Sequence, residues 1–99
     1  MVSEDCSLAA SARILGARWT LEILYNLRDP RRFCEIQEAV GGINPRTLSQ
    51  RLKFLEEEGL ILRQPLEDSS PHARYELTGM GKDLLPVLEL LEVWGNKWL

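Results

Sequence analysis

Apolar positions along the first two-thirds of the chain recur at helical spacing. From Cys6 to Leu15 the residues Leu8, Ala12 and Leu15 fall at i, i+4 and i+7, which predicts a helix that Asp5 can cap and Gly16 ends. A second helix is expected from about Arg18 to Arg28. It carries Trp19, Leu21, Ile23, Leu24, Tyr25 and Leu27 on nearly all sides, so it reads as the buried central helix, stopped by Asp29-Pro30. A third, about Phe33 to Val40, sets Phe33, Ile36 and Val40 on one face, and Gly41-Gly42-Ile43 makes the next turn. The fourth has the clearest signals: Asn44 at the cap, Pro45 at the first helical position, a stripe of Leu48, Leu52 and Leu55, and Gly59 at the end. Two short helices joined by a glycine turn form a helix-turn-helix pattern.

The period then changes. Leu60 to Leu66 and Ala73 to Thr78 read as two strands, and the polar, proline-containing stretch from Glu67 to His72 reads as their hairpin loop. Thr78 caps a final helix running to about Leu99, weakened by Gly79 and Gly81 and kinked at Pro86. Along it Leu84, Leu88, Leu91, Gly95 and Trp98 form a heptad-like seam with Trp94 beside it, widened by Leu85, Leu90 and Val93. The expected fold is mainly α with a small β-hairpin. It is a winged helix-turn-helix with a three-helix core, a wing, and dimerisation helices at the two ends. The expectation is one domain over 1–99, with the helix-turn-helix at about 33–58, the wing at about 60–78 and the last helix at about 79–99.

A chain of 99 residues with 44% hydrophobic content suits one modest core. No apolar run approaches a membrane span, and the start, Met1-Val2-Ser3-Glu4-Asp5, lacks the basic flank and apolar core of a signal peptide, so the expected location is the cytoplasm. The net charge of −3 argues at first against a nucleic-acid partner. Its distribution changes that. Between Gly41 and Leu55 the only charges are Arg46, Arg51 and Lys53, while acids gather in Glu56-Glu57-Glu58 and along the last helix.

With Leu48 at the centre of the inward face, about 100° per residue turns Arg46, Gln50 and Lys53 outward, with Thr47 and Ser49 on the flanks. These are the groups a major groove requires: arginine for guanine, glutamine for adenine, hydroxyls for phosphate or a thymine methyl. They occupy the N-terminal half of the helix, the part that enters the groove when such motifs dock.

The stretches Leu15-Gly16-Ala17-Arg18-Trp19-Thr20, Arg32-Phe33-Cys34-Glu35-Ile36, Ile43-Asn44-Pro45-Arg46-Thr47-Leu48-Ser49-Gln50-Arg51-Leu52, Leu55-Glu56-Glu57-Glu58-Gly59-Leu60-Ile61 and Tyr75-Glu76-Leu77-Thr78-Gly79-Met80-Gly81, with Cys6 near the start, resemble the HxlR-type winged helix-turn-helix regulators of the MarR-like group. The resemblance covers nearly the whole chain; Asn44-Pro45 stands where serine is more usual. It implies a transcription regulator whose helix containing Ser49-Gln50-Arg51-Leu52 enters the major groove, whose hairpin is the wing, and whose first and last helices build the dimer. The DNA-binding residues it implies, taken with the outward face, are Asn44, Pro45, Arg46, Thr47, Ser49, Gln50, Arg51 and Lys53, with Arg74 as a wing contact. For Arg74 a solvated hairpin arginine is the competing reading, and Arg31 and Arg32 divide between phosphate contact and bare surface. His72 reads as a solvent-exposed bystander.

The seam implies a homodimer with Leu8, Leu84, Leu88, Leu91, Trp94 and Trp98 at the interface and two recognition helices about 34 Å apart on a pseudo-palindromic operator. The alternative for the last helix is that it only closes the core. By the resemblance Cys6 can sense oxidants or electrophiles. A helix start favours thiol reactivity, Glu4 and Asp5 oppose it, and a small structural residue is the plainer reading. Cys34 is expected to be structural. Two separated cysteines and one histidine do not have zinc-site spacing, so no metal and no cofactor is expected. The lone loop histidine and the lack of a phosphate-binding glycine loop argue against an enzyme. A winged helix used only for protein–protein contact is the alternative function.

Overall fold

The computed structural model describes residues 6–66 and 72–99. Its elements run α1 (Ser7–Leu15), α2 (Thr20–Asn26), β1 (Arg31–Arg32), α3 (Phe33–Val40), α4 (Pro45–Glu57), β2 (Ile61–Pro65), β3 (Ala73–Leu77), α5 (Gly79–Lys82) and α6 (Leu85–Trp98). The architecture is the expected one, mainly helical with a small sheet. Asp5 and most of the hairpin loop, residues 67–71, lie outside the described residues. Cys6 is the residue that precedes α1, and its side chain makes no capping bond.

Burial explains why these segments settle where they do. Ile23, Leu24 and Leu27 of the second helix, Ile36 of α3, the stripe Leu48, Leu52 and Leu55, and Leu60, Ile61 and Leu77 of the hairpin base form one apolar cluster. The central helix is shorter than the pattern suggested, because Trp19 stands before it in the left-handed region at φ 77 and the turn from Gly16 to Trp19 is not helical. Gly41 and Gly42 have φ of 71 and 79, a pair of conformations that side chains resist, and they turn α3 sharply into α4. The start of α4 is as read: the Arg46 backbone N–H donates to Asn44 Oδ1 at 2.8 Å, and Pro45 fills the first turn. Its end is a Schellman motif, with the Gly59 N–H on the Glu56 carbonyl at 3.1 Å and the Leu60 N–H on the Leu55 carbonyl at 3.0 Å.

Two features depart from the sequence reading. The sheet has three strands in the order β1-β3-β2, all antiparallel; Arg31 and Arg32 pair with Tyr75 and Arg74, and Gln64 lies across from Arg74 on the other side. A two-residue strand is too short for any alternation to register. The last helix is also not one kinked rod. It breaks into α5 and α6 at Asp83–Leu84, where the Leu84 N–H reaches back only three residues to Gly81. Pro86 sits in the first turn of α6, where a missing N–H costs little, so the proline starts a helix rather than bending one.

The α5 segment is seated tightly. Thr78 caps it by accepting from the Gly81 N–H at 3.2 Å and donates its own hydroxyl hydrogen to the Gly59 carbonyl at 2.6 Å. Gly81 lies so close to the Leu60 carbonyl oxygen that an added Cβ would stand 2.3 Å from it. This contact ties the C-terminal segment to the turn between α4 and β2.

Candidate nucleic-acid interface

The exposed polar face of α4 follows from how the helix is rotated. Its three leucines are buried, and this turns Arg46, Ser49, Gln50 and Lys53 into solvent, with Thr47 half-buried on the flank. Asn44 and Pro45 are exposed at the tip. The Asn44 side-chain oxygen is already committed to the Arg46 N–H, so its first role is to hold the end of the helix open toward solvent. No acid lies on this face before Glu56. The polar tips are therefore exposed, as a groove-reading helix requires.

Arg51, also expected to contact DNA, has a partner within its own chain. It is half-buried, and its Nε–H donates to the Arg18 carbonyl oxygen at 3.1 Å. At one position past Gln50 it has turned toward the α1–α2 loop, where a backbone acceptor waits.

On the wing, Arg74 is exposed and lies between Arg32 and Gln64 across the sheet. Like charges directly opposite one another on neighbouring strands are unfavourable, and Glu35 answers part of that, its carboxylate standing 3.7 Å from Arg32 Nε. The same carboxylate accepts from the Arg32 backbone N–H at 2.8 Å, and this bond holds the Glu35 pKa below its ordinary value. Arg31 instead donates its Nε–H to the Asn26 carbonyl at 2.8 Å and acts as a structural strut. Arg32, Arg63 and His72 border a cleft of about 360 Å³ between the wing and α3, with Cys34 exposed on its wall. This basic edge was not legible, because it depends on β1 folding against β3.

The expected dimer seam divides in two. Leu88 is only 5% exposed and the partly buried Leu84 packs against the same core, so both anchor α6 to its own domain. Exposed instead are Val87, Leu90, Leu91, Val93, Trp94 and Trp98, the last two at 56% and 65%. Leu8 on α1 is 74% exposed. Hydrogen bonding to the Glu92 carboxylate of α6 is the main cause that raises the Tyr25 pKa. Cys6 is half-buried. Among the described residues no group of three His, Cys, Asp or Glu could hold a metal ion, and no helix is long and apolar enough to cross a membrane.

Known proteins share this arrangement. The model of the HxlR-like helix-turn-helix family matches residues 14–99. An uncharacterized HTH-type transcriptional regulator of Halalkalibacterium halodurans is 36% identical over 96 residues, covering 95% of this chain and 85% of its own length. A crystal structure from Porphyromonas gingivalis W83, described as a MarR-family transcriptional regulator, superposes with a TM-score of 0.94 at 31% identity, covering 100% of this chain and 98% of that one. The quinone-bound YodB of Bacillus subtilis superposes with a TM-score of 0.79 at 30% identity, covering 99% and 100%. The chain belongs to the HxlR-like helix-turn-helix family of transcriptional regulators.

Proposed function

We propose that this regulator binds double-stranded DNA sequence-specifically, as a homodimer on a pseudo-palindromic site. The observation that carries the reading is the outward face of α4: Arg46, Ser49, Gln50 and Lys53 exposed and free of acids, above a fully buried leucine stripe. In the major groove Arg46 and Gln50 read base edges, Thr47 and Ser49 reach phosphate or a thymine methyl, and Lys53 neutralises phosphate. Asn44 and Pro45 present the helix N-terminus to the backbone. Arg74, flanked by Arg32, carries the wing contact. The apolar face of α6, Leu91 with Trp94 and Trp98, together with Leu8, covers its counterpart in a second copy and sets two recognition helices about one DNA turn apart.

Cys6, at the head of α1, is the residue assigned to an oxidant or electrophile response; the likeness to quinone-bound YodB supports it. Gel shift against the DNA upstream of the protein's own gene tests the central reading. Wild type should shift it, and Gln50→Glu, which puts an acid on the exposed face, should not. An equal shift by both proteins, or none by wild type, would leave a protein-contact module as the better account. Size-exclusion with light scattering should give twice the 11.3 kDa chain mass, and a monomer would remove the dimer.

A further inference from the structure

We infer that Arg51 is a positioning residue: it fixes the orientation of the recognition helix by clamping the turn between α1 and α2, and contacts neither base nor phosphate. The inference deepens the DNA-binding reading and rests on it. Arg51 leaves α4 between the buried leucines and the exposed Arg46–Gln50–Lys53 face. Its Nε–H reaches the Arg18 carbonyl oxygen at 3.1 Å, across 33 residues of sequence. That carbonyl belongs to the peptide joining Arg18 to Trp19, and Trp19 is the non-glycine residue with positive φ, 77, among those described. A bulky side chain is strained there, and such strain persists only where the surroundings over-determine it.

Three contacts supply that constraint. The Trp19 ring packs against the core. The Arg18 guanidinium lies 4.6 Å from the centroid of the same ring. Arg51, a cationic donor, holds the carbonyl between them, and a bond from a charged donor is the stronger kind. Returning Trp19 to an ordinary conformation would rotate that peptide and swing the carbonyl away from Arg51, so the bond and the strained turn stand or fall together. The buried leucines fix how deep α4 sits. Arg51 fixes how it is rolled relative to α1, and a small roll moves the tips of Arg46 and Gln50 out of register with base edges. By the same bond, a displacement of α1 reaches the recognition helix.

The test uses the full chain labelled with 5-fluorotryptophan, whose 3 tryptophans give separate fluorine signals, with Trp19 assigned by Trp19→Phe. The duplex is one that the wild type selects from a random pool. In Arg51→Ala and Arg51→Lys the Trp19 signal should move while Trp94 and Trp98 stay. Both variants should lose about tenfold in affinity, with the wild-type dependence on salt. Lysine keeps the charge but has no donor at the arginine ε position, so it should not rescue. A phosphate contact gives the opposite pattern: Arg51→Lys binds as wild type, Arg51→Ala flattens the salt slope by about one, and Trp19 does not move. That result overturns the inference alone. A wild type that selects no duplex overturns the DNA-binding reading and takes the inference with it.

Discussion

Replacing Gly81 by alanine tests the seating of α5 against the turn that follows α4. The new Cβ would stand 2.3 Å from the Leu60 carbonyl oxygen and 3.1 Å from a Leu77 methyl. A carbon–oxygen contact is comfortable about 1 Å further out. The carbonyl cannot yield freely, because it accepts the Thr78 N–H at 3.0 Å. Overpacking a fixed site costs about 1–3 kcal/mol or somewhat more, and the helix gains at most about 1 kcal/mol from replacing glycine. The net expectation is a loss of about 2 kcal/mol, or roughly 8–16 °C in a domain of this size. Gly79→Ala is the control: it lies in the same short helix with nothing within 4 Å of an added Cβ, and it should be neutral or stabilising by up to about 1 kcal/mol. Thermal unfolding followed by circular dichroism, at one fixed protein concentration, reads both. Opposite signs are expected. A Gly81→Ala protein as stable as Gly79→Ala would refute the close approach, and with it the tie between α5 and the end of α4.

Three further outcomes follow from single contacts. Asn44→Ala removes the acceptor for the Arg46 N–H and should cost about 1 kcal/mol in urea unfolding, with a larger loss of DNA affinity than of stability; unchanged stability would mean the cap contributes nothing. Glu35, whose pKa is lowered by the Arg32 backbone N–H, contributes stability that is present above the unfolded carboxylate pKa and drains away as pH falls through its depressed folded value. Glu35→Gln should therefore lower stability near neutral pH, converge with wild type at acid pH and so flatten the acid limb of a stability–pH curve; an unaltered acid limb would contradict it. Cys6→Ser should abolish any change in DNA affinity on diamide or quinone treatment, whereas Cys34→Ser should keep it, and a full response in the Cys6 variant removes Cys6 as the sensor.

Much of this was legible because each signal was local and redundant. Asn44, Pro45, the leucine stripe and Gly59 fix both ends and the inner face of α4 without reference to the rest of the chain. What escaped depended on partners distant in sequence. Arg51 groups with the DNA-contacting residues by resemblance, and its bond to the Arg18 carbonyl depends on a turn 33 residues away. Leu84 and Leu88 fitted a seam by spacing, yet spacing cannot say which side of an apolar helix the chain's own core will claim. Arg31 and Arg32 form a strand only because β3 offers an unpaired edge. The break before α6 was visible as Pro86, but the same residue serves a kink or a start, and the Leu84–Gly81 turn decides between them.

The central claim, that the outward face of α4 reads base pairs, is tested most directly by selecting duplexes from a random pool with wild type and with Arg46→Ala. Wild type should yield a two-fold-symmetric sequence with half-sites about one helical turn apart. The variant should lose its preference at one symmetry-related pair of positions, with a penalty of about 1–3 kcal/mol there and the remaining positions kept. The same sequence recovered by both proteins with equal affinity would contradict it.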